Sequence, residues 1–278
     1  MAPDTTGTPA SSATVETHPG EPFPLRLLLE DGPLLAFNKP AGLLTQGVPH
    51  GAQLAAGGEI PTLESQVKAF LKSKYNKPAG VYLGIPHRLD RAVSGVVVFA
   101  KNSKAAARLA EQFRDRQVRK VYWALVETPP TAPTGTLEDW LLKDPAEAHV
   151  TVVPPGTAGA KLARLSYRVL PTLPHNLGGK LLEIELETGR MHQIRVQLAS
   201  RGWPIWGDLA YGATHPWAAP TANAETADAR LQTIALHARK LILQHPVRYD
   251  EVSIEAPLPE PWQTALGPED EPRPLVPA

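Results

Sequence analysis

The sequence predicts an α+β domain on a mixed, mainly antiparallel sheet flanked by helices. Three observations lead there. The 278 residues are 42% hydrophobic and 20% charged, which supplies a buried core and is not the composition of a disordered chain. Strand-like and helix-like segments follow in the order β, α, β, α, β, β, β, α, too irregular for a βαβ series. No internal repeat or long linker interrupts them, so the body reads as one domain over residues 23–257.

Each element has its own signal. Leu34–Asn38 is a short apolar strand, stopped by Lys39-Pro40 and Gly42. Leu63–Lys74 reads as a helix capped by Thr62, with Val67, Phe70 and Leu71 on one face. Gly95–Lys101 is a β-branched run entered through a glycine and reads as a buried strand. Ser103–Arg116 is an amphipathic helix whose inner face is Ala106, Leu109, Ala110 and Phe113. Val118–Glu127 is a strand in which Val121, Trp123 and Leu125 alternate with Lys120, Tyr122 and Ala124. Leu162–Leu170 and Leu181–Thr188 are two more strands, and Met191–Arg201 is a helix after the break at Gly189. Of 30 prolines, five fall in residues 1–24 and seven in residues 257–278. Residues 1–22 are therefore expected to form a Pro/Ser/Thr-rich tail, and residues 258–278 an acidic, Pro-rich one.

Composition excludes several chemistries. With no cysteine there is no disulfide framework, thiolate metal site or cysteine nucleophile. No apolar run reaches the roughly 20 residues of a membrane helix, and the first residues lack the pattern of a signal peptide, so a cytoplasmic protein without membrane contact is expected. The 28 basic and 28 acidic residues cancel, but unevenly. Arg88–Lys120 holds nine basic residues against three acids, a net +6, and residues 250–278 carry a net −6.

Four segments place polar groups where a simple core would not. In His87-Arg88-Leu89-Asp90-Arg91, positive neighbours favour the carboxylate form of Asp90, which suits a nucleophile or base; a loop of surface ion pairs fits the same residues. Glu187–Arg195 gathers Arg190, His192, Gln193 and Arg195 where a strand gives way to a helix, either an anion site or a structural network. Arg119–Ala124 alternates basic and aromatic residues, as a strand facing RNA or a half-buried core strand would. Pro204–Gly212 is a glycine-punctuated aromatic loop without obvious chemistry. The sequence has no His-Glu-x-x-His, P-loop or Gly-x-Ser-x-Gly motif. A metal held by His87, Asp90 and His192 is disfavoured by the arginines flanking Asp90.

Together these segments resemble one family. HRLDRAVSG is similar to the catalytic motif of the RluA-type pseudouridine synthases, usually His-Arg-Leu-Asp-Arg-x-Thr-Ser-Gly. FNKPAGLLT, RKVYWALVE, ETGRMHQIRVQLA, GWPIWGDLAYG and IALHARKLILQHP resemble further motifs of that family in the same order, over about residues 33–256. The resemblance implies a central cleft across the sheet and isomerisation of uridine in RNA without metal or cofactor. By motif position it makes Asp90 the essential aspartate, Tyr122 the residue stacked on the target base, and Arg195 the partner of the aspartate. Arg88 falls on the arginine that fills the place of the flipped nucleotide. Arg91, Lys101, Lys104, Arg114, Arg116, Arg119, Lys120, Arg190 and His192 are expected to meet RNA. Val93, Met191 and Gln197 depart from the common pattern, and no S4-type RNA-binding domain is recognised. The expected partner is ribosomal or transfer RNA, bound by a monomer. The competing reading is a non-catalytic RNA-binding or ribosome-assembly protein on the same fold.

Overall fold

The computed structural model describes residues 25–47, 61–78, 80–144, 149–171, 179–217 and 232–267. The expected tail at residues 1–22 lies outside them, as do residues 268–278.

The described chain forms strands β1 (Arg26–Asp31) and β2 (Leu34–Lys39), helix α1 (Leu63–Lys74), strand β3 (Ser94–Ala100), helix α2 (Ser103–Arg114) and strand β4 (Arg119–Val126). Strands β5 (Thr134–Lys143), β6 (Val150–Val153), β7 (Lys161–Val169) and β8 (Lys180–Leu186) follow, then helix α3 (Gln193–Ala199) and a short 3-10 turn at Leu209–Tyr211. Strands β9 (Leu236–Gln244) and β10 (Glu251–Glu255) and helix α4 (Glu260–Leu266) close the fold.

All ten strands join one sheet, in the order β1-β2-β3-β9-β4-β8-β7-β5-β6, with β10 also on β9. Every pairing is antiparallel except β3 with β9, so the mixed, mainly antiparallel sheet is as expected. The parallel contact is short, Ser94 to His237 and Gly95 to Ala238. It depends on Gly95: at φ +123° a β-carbon there would lie 2.3 Å from the Ala238 carbonyl oxygen. Strand β3 is buried along its whole length, as its β-branched run requires. Phe37 of β2 meets Phe99 of β3 and Phe70 of α1 edge-on, which fastens α1 to the sheet.

Helix α1 has the expected bounds, and Thr62 with Ser65 forms a capping box. Other expectations need correction. Helix α2 stops at Arg114 instead of Arg116, because Arg116 takes a left-handed φ of 60°. Helix α3 is only Gln193–Ala199, because His192 before it is left-handed, φ 51°. Residues 260–266 are not tail: Trp262 of α4 is 1% exposed and packs against Trp217 and His237. The proline spacing suggests an extended tail, but burying one indole outweighs it.

Candidate active site

Asp90 sits on the loop that leads into β3, and that loop is held from both sides. The hydroxyl of Thr45 accepts from the Leu89 N–H (3.1 Å) and donates to the Leu89 carbonyl (2.9 Å). The Arg91 carbonyl accepts from Gly42 N–H (2.7 Å) and from the Lys39 ammonium (3.2 Å). Arg91 Nε returns a hydrogen bond to the Gly42 carbonyl at 2.8 Å. Lys39 is fully buried and also donates to the carbonyls of Pro40 and Leu43. Burial holds its pKa down to about 7, with Arg91 adding and Asp90 opposing. Residues 39–45 are thus a cradle for the Asp90 loop. In the sequence FNKPAGLLT stands out only as a motif; the one signal of this role is a lysine inside an apolar stretch.

His87 is part of this framework. Its Nε2 accepts from the Val98 N–H at 3.0 Å, and its ring stacks on Phe113 at 4.4 Å. Burial, reinforced by Lys120, lowers its pKa to about 3, so the ring is neutral with its proton on Nδ1. Neither nitrogen is then free to bind a cation, which removes His87 from any metal set with Asp90 and His192.

Opposite the loop stands Arg195, the third residue of α3. Its Nη1 lies 3.8 Å from Asp90 Oδ2, within ion-pair reach. Its shorter contacts are to Asp208: Nε to Oδ2 at 2.8 Å and Nη2 to Oδ1 at 2.7 Å. The Asp208 side chain is 1% exposed and Arg195 is 10% exposed, whereas that of Asp90 is 33% exposed and opens outward. A bidentate buried pair therefore aims the guanidinium, and Asp90 takes what the fork has left. The guanidinium also lies over the Tyr211 ring, 4.8 Å from its centre. Asp208 and Tyr211 come from the glycine-punctuated aromatic loop, whose sequence shows no obvious chemistry. A carboxylate followed three residues later by a tyrosine is its only signal.

Tyr122 stands on β4, opposite Ala238 of β9 and Ile184 of β8. Burial raises its phenol pKa well above the ordinary range, and the Asp90 charge raises it further. The ring is therefore neutral and close to Asp90. Asp90, Arg195 and His192 come together, with His192 Nε2 also 3.8 Å from Asp90 Oδ2, and Tyr122 lies near enough for the Asp90 charge to act on its phenol.

The basic residues divide. Lys101 is paired with Glu30, Arg114 with Glu111 and Asp115, and Arg119 with Glu185 through two hydrogen bonds. Arg108 donates to the Pro246 carbonyl and Arg190 to the Leu162 carbonyl. Arg88 and Lys104 are exposed. Lys120 is only 9% exposed and makes no hydrogen bond or ion pair with a described residue. Burial lowers its pKa, and Arg116 and Arg190 lower it further.

No helix among the described residues is long and apolar enough to cross a membrane. The family model for RNA pseudouridylate synthase matches residues 33–200. The ribosomal large subunit pseudouridine synthase D of Nitrosomonas europaea is 38% identical over 264 residues, covering 90% of this chain and 67% of that protein. The protein of the same name from Zymomonas mobilis is 32% identical, covering 87% of this chain and 71% of its own. Among solved structures, human RNA pseudouridylate synthase domain containing 4 superposes with a TM-score of 0.63 at 27% identity, over 84% of this chain and 88% of that one. The matched span contains Asp90, Tyr122 and Arg195, and the chain belongs to the RNA pseudouridylate synthase family.

Proposed function

We propose that Asp90 is the carboxylate through which this isomerase converts uridine in RNA to pseudouridine, and that ribosomal RNA is its substrate. The reaction breaks the N1–C1′ bond, turns the uracil and joins C5 to C1′; C5 gives up a proton and N1 gains one. Atoms balance without a co-reactant. A carboxylate contributes by attacking the sugar, attacking the ring or removing a sugar proton, and all three routes need it ionised, oriented and open to substrate. The observation that carries this reading is the contrast between the two aspartates on Arg195. Asp208 is buried and fully engaged, while Asp90 keeps one face open.

The neutral Tyr122 ring is suited to stack on the uracil rather than to accept a proton. Arg88, exposed and two residues from Asp90 in the chain, is the side chain that the resemblance puts forward to fill the gap left by the flipped nucleotide. Lys120 lies two residues before Tyr122 on β4, so both side chains leave the same face of the strand. An ammonium that pairs with no described residue, with Arg116 and Arg190 near enough to act on it, fits a backbone phosphate of the bound strand. The ribosomal target rests on the names of the relatives, transfer RNA being the other candidate.

The test is Asp90→Asn with pseudouridine mapped in total RNA. The variant is expected to bind RNA, stay folded and make no pseudouridine, and the wild type to restore a defined ribosomal position. A folded Asp90→Asn enzyme with wild-type turnover would overturn the assignment. Sites restored only in transfer RNA would overturn the target.

A further inference from the structure

The roles proposed for Asp90, Tyr122 and Arg195 leave His192 unused, although it stands as near Asp90 as Arg195 does. Its environment decides where its proton sits. Among the described residues the Tyr211 hydroxyl has two hydrogen-bond neighbours: the Val150 backbone nitrogen at 3.0 Å and His192 Nδ1 at 2.8 Å. A backbone N–H only donates, so Val150 takes a lone pair of the hydroxyl. The hydroxyl hydrogen then has His192 Nδ1 as its acceptor. If Nδ1 carried the proton instead, two hydrogens would face the same oxygen from outside, and the phenol hydrogen would be stranded in a residue only 9% exposed. The satisfied arrangement puts the imidazole proton on Nε2.

That nitrogen faces Asp90. The nearest carboxylate oxygen to both His192 Nε2 and Arg195 Nη1 is the same one, Oδ2, at 3.8 Å from each. The backbone of His192 is left-handed at φ 51°, a conformation that residues other than glycine hold mainly where surroundings fix them. The ring is also caged. His149 stacks on the far side of the relay, on Tyr211 at 4.7 Å, and Tyr211 meets His192 edge-on.

We propose that His192 is a tautomer-locked positioning residue. The chain Val150 N–H to Tyr211 O–H to His192 Nδ1 keeps a donor on Nε2, which with Arg195 holds one oxygen of Asp90 and leaves the other to react. This rests on Asp90 being the catalytic carboxylate. At 3.8 Å both contacts are longer than hydrogen bonds, as catalytic contacts often are before substrate fills a cleft. The neutral state of the ring agrees: burial lowers its pKa, Arg195 and His149 act in the same sense, and Asp90 and Asp208 oppose them.

The test reads the tautomer directly. In protein labelled with ¹⁵N-histidine, the His192 resonances, assigned by their loss in His192→Gln, are expected to show the Nε2–H tautomer at pH 7. Tyr211→Phe is expected to yield a mixture of tautomers and a roughly tenfold lower kcat with KM little changed, in the range of coupled neighbours. His192→Gln, whose amide N–H reaches the Nε2 position, should keep most of the activity, and adding Tyr211→Phe to it should cost nothing more. An Nδ1–H tautomer or an imidazolium at pH 7 would overturn the proposal. So would an equal loss from Tyr211→Phe in both backgrounds, which is the mark of a purely structural tyrosine. A fully active Asp90→Asn enzyme would instead strike the catalytic assignment and leave the tautomer result standing.

Discussion

Arg195 is where the roles of single residues separate. The family resemblance pairs it with Asp90, and on that basis removing the carboxylate would strand a buried charge at a cost of roughly 3–5 kcal/mol. The structure gives Arg195 a closer partner in Asp208, at 2.7 and 2.8 Å. Asp90→Asn should therefore melt near the wild type, whereas Asp208→Asn should lose about 3 kcal/mol or more and lower kcat as the guanidinium drifts. Paired melting curves check this, and equal midpoints for the two variants would refute it. Asp90, Tyr122 and Arg195 are singled out in the sequence by the family motifs in which they stand. Asp208 and Lys39 are not, because their roles depend on partners that only the fold brings near: Arg195 for one, the Arg91 carbonyl for the other.

At the scale of elements, the Asp90 loop takes its shape from residues 39–45. Thr45→Val keeps the volume and removes both hydrogen bonds to Leu89. Two backbone groups in a buried setting lose their partner, so about 1–3 kcal/mol of stability should go. Turnover should fall further than Asp90-independent RNA binding, measurable as a drop in kcat at constant affinity. Gly95→Ala is the harsher change. It sets a side chain against the Ala238 backbone where β3 touches β9, and soluble yield should collapse. Strands with clean alternation or β-branched runs, such as β3, β4, β7 and β8, are visible in the sequence within a residue or two. Strand β9 is visible only as a motif, and β5 is hidden because Glu138, Asp139 and Trp140 break its period. Helix α4 is held by Trp262, a contact that no local pattern announces.

At the scale of the molecule, charge and pH decide. The +6 stretch is not one open patch, since Lys101, Arg114 and Arg119 already face acids. Arg119→Ala should leave the salt dependence of RNA binding unchanged. Arg88→Ala and Lys120→Ala should each lower the slope by roughly 0.7 to 1 for every phosphate the variant no longer neutralises. Binding titrations over a salt series measure this. Stability should also fall with acid in a defined window. Burial lowers the pKa of His87 and of His237 to about 3, far below the unfolded value near 6.5. Between those values the unfolded chain binds more protons, so stability is full above about pH 6.5 and drains as pH falls toward 3, by up to about 1.4 kcal/mol per pH unit for each ring. His237→Gln should make that slope shallower by about one proton; an unchanged slope would show that His237 is not held neutral.

Strand β9 lies between β3 and β4 although it is among the last strands made. On a ribosome, the part carrying Asp90 and the part carrying Tyr122, Arg195 and Asp208 emerge as two half-sheets, each with a bare inner edge. Neither edge is covered until Leu236–Gln244 has been synthesised. The candidate site is thus completed late in translation, and a nascent chain stalled before Leu236 should be inactive and prone to strand-to-strand association. Ribosome-bound chains of graded length, tested for protease resistance, should become protected only once β9 has cleared the exit tunnel.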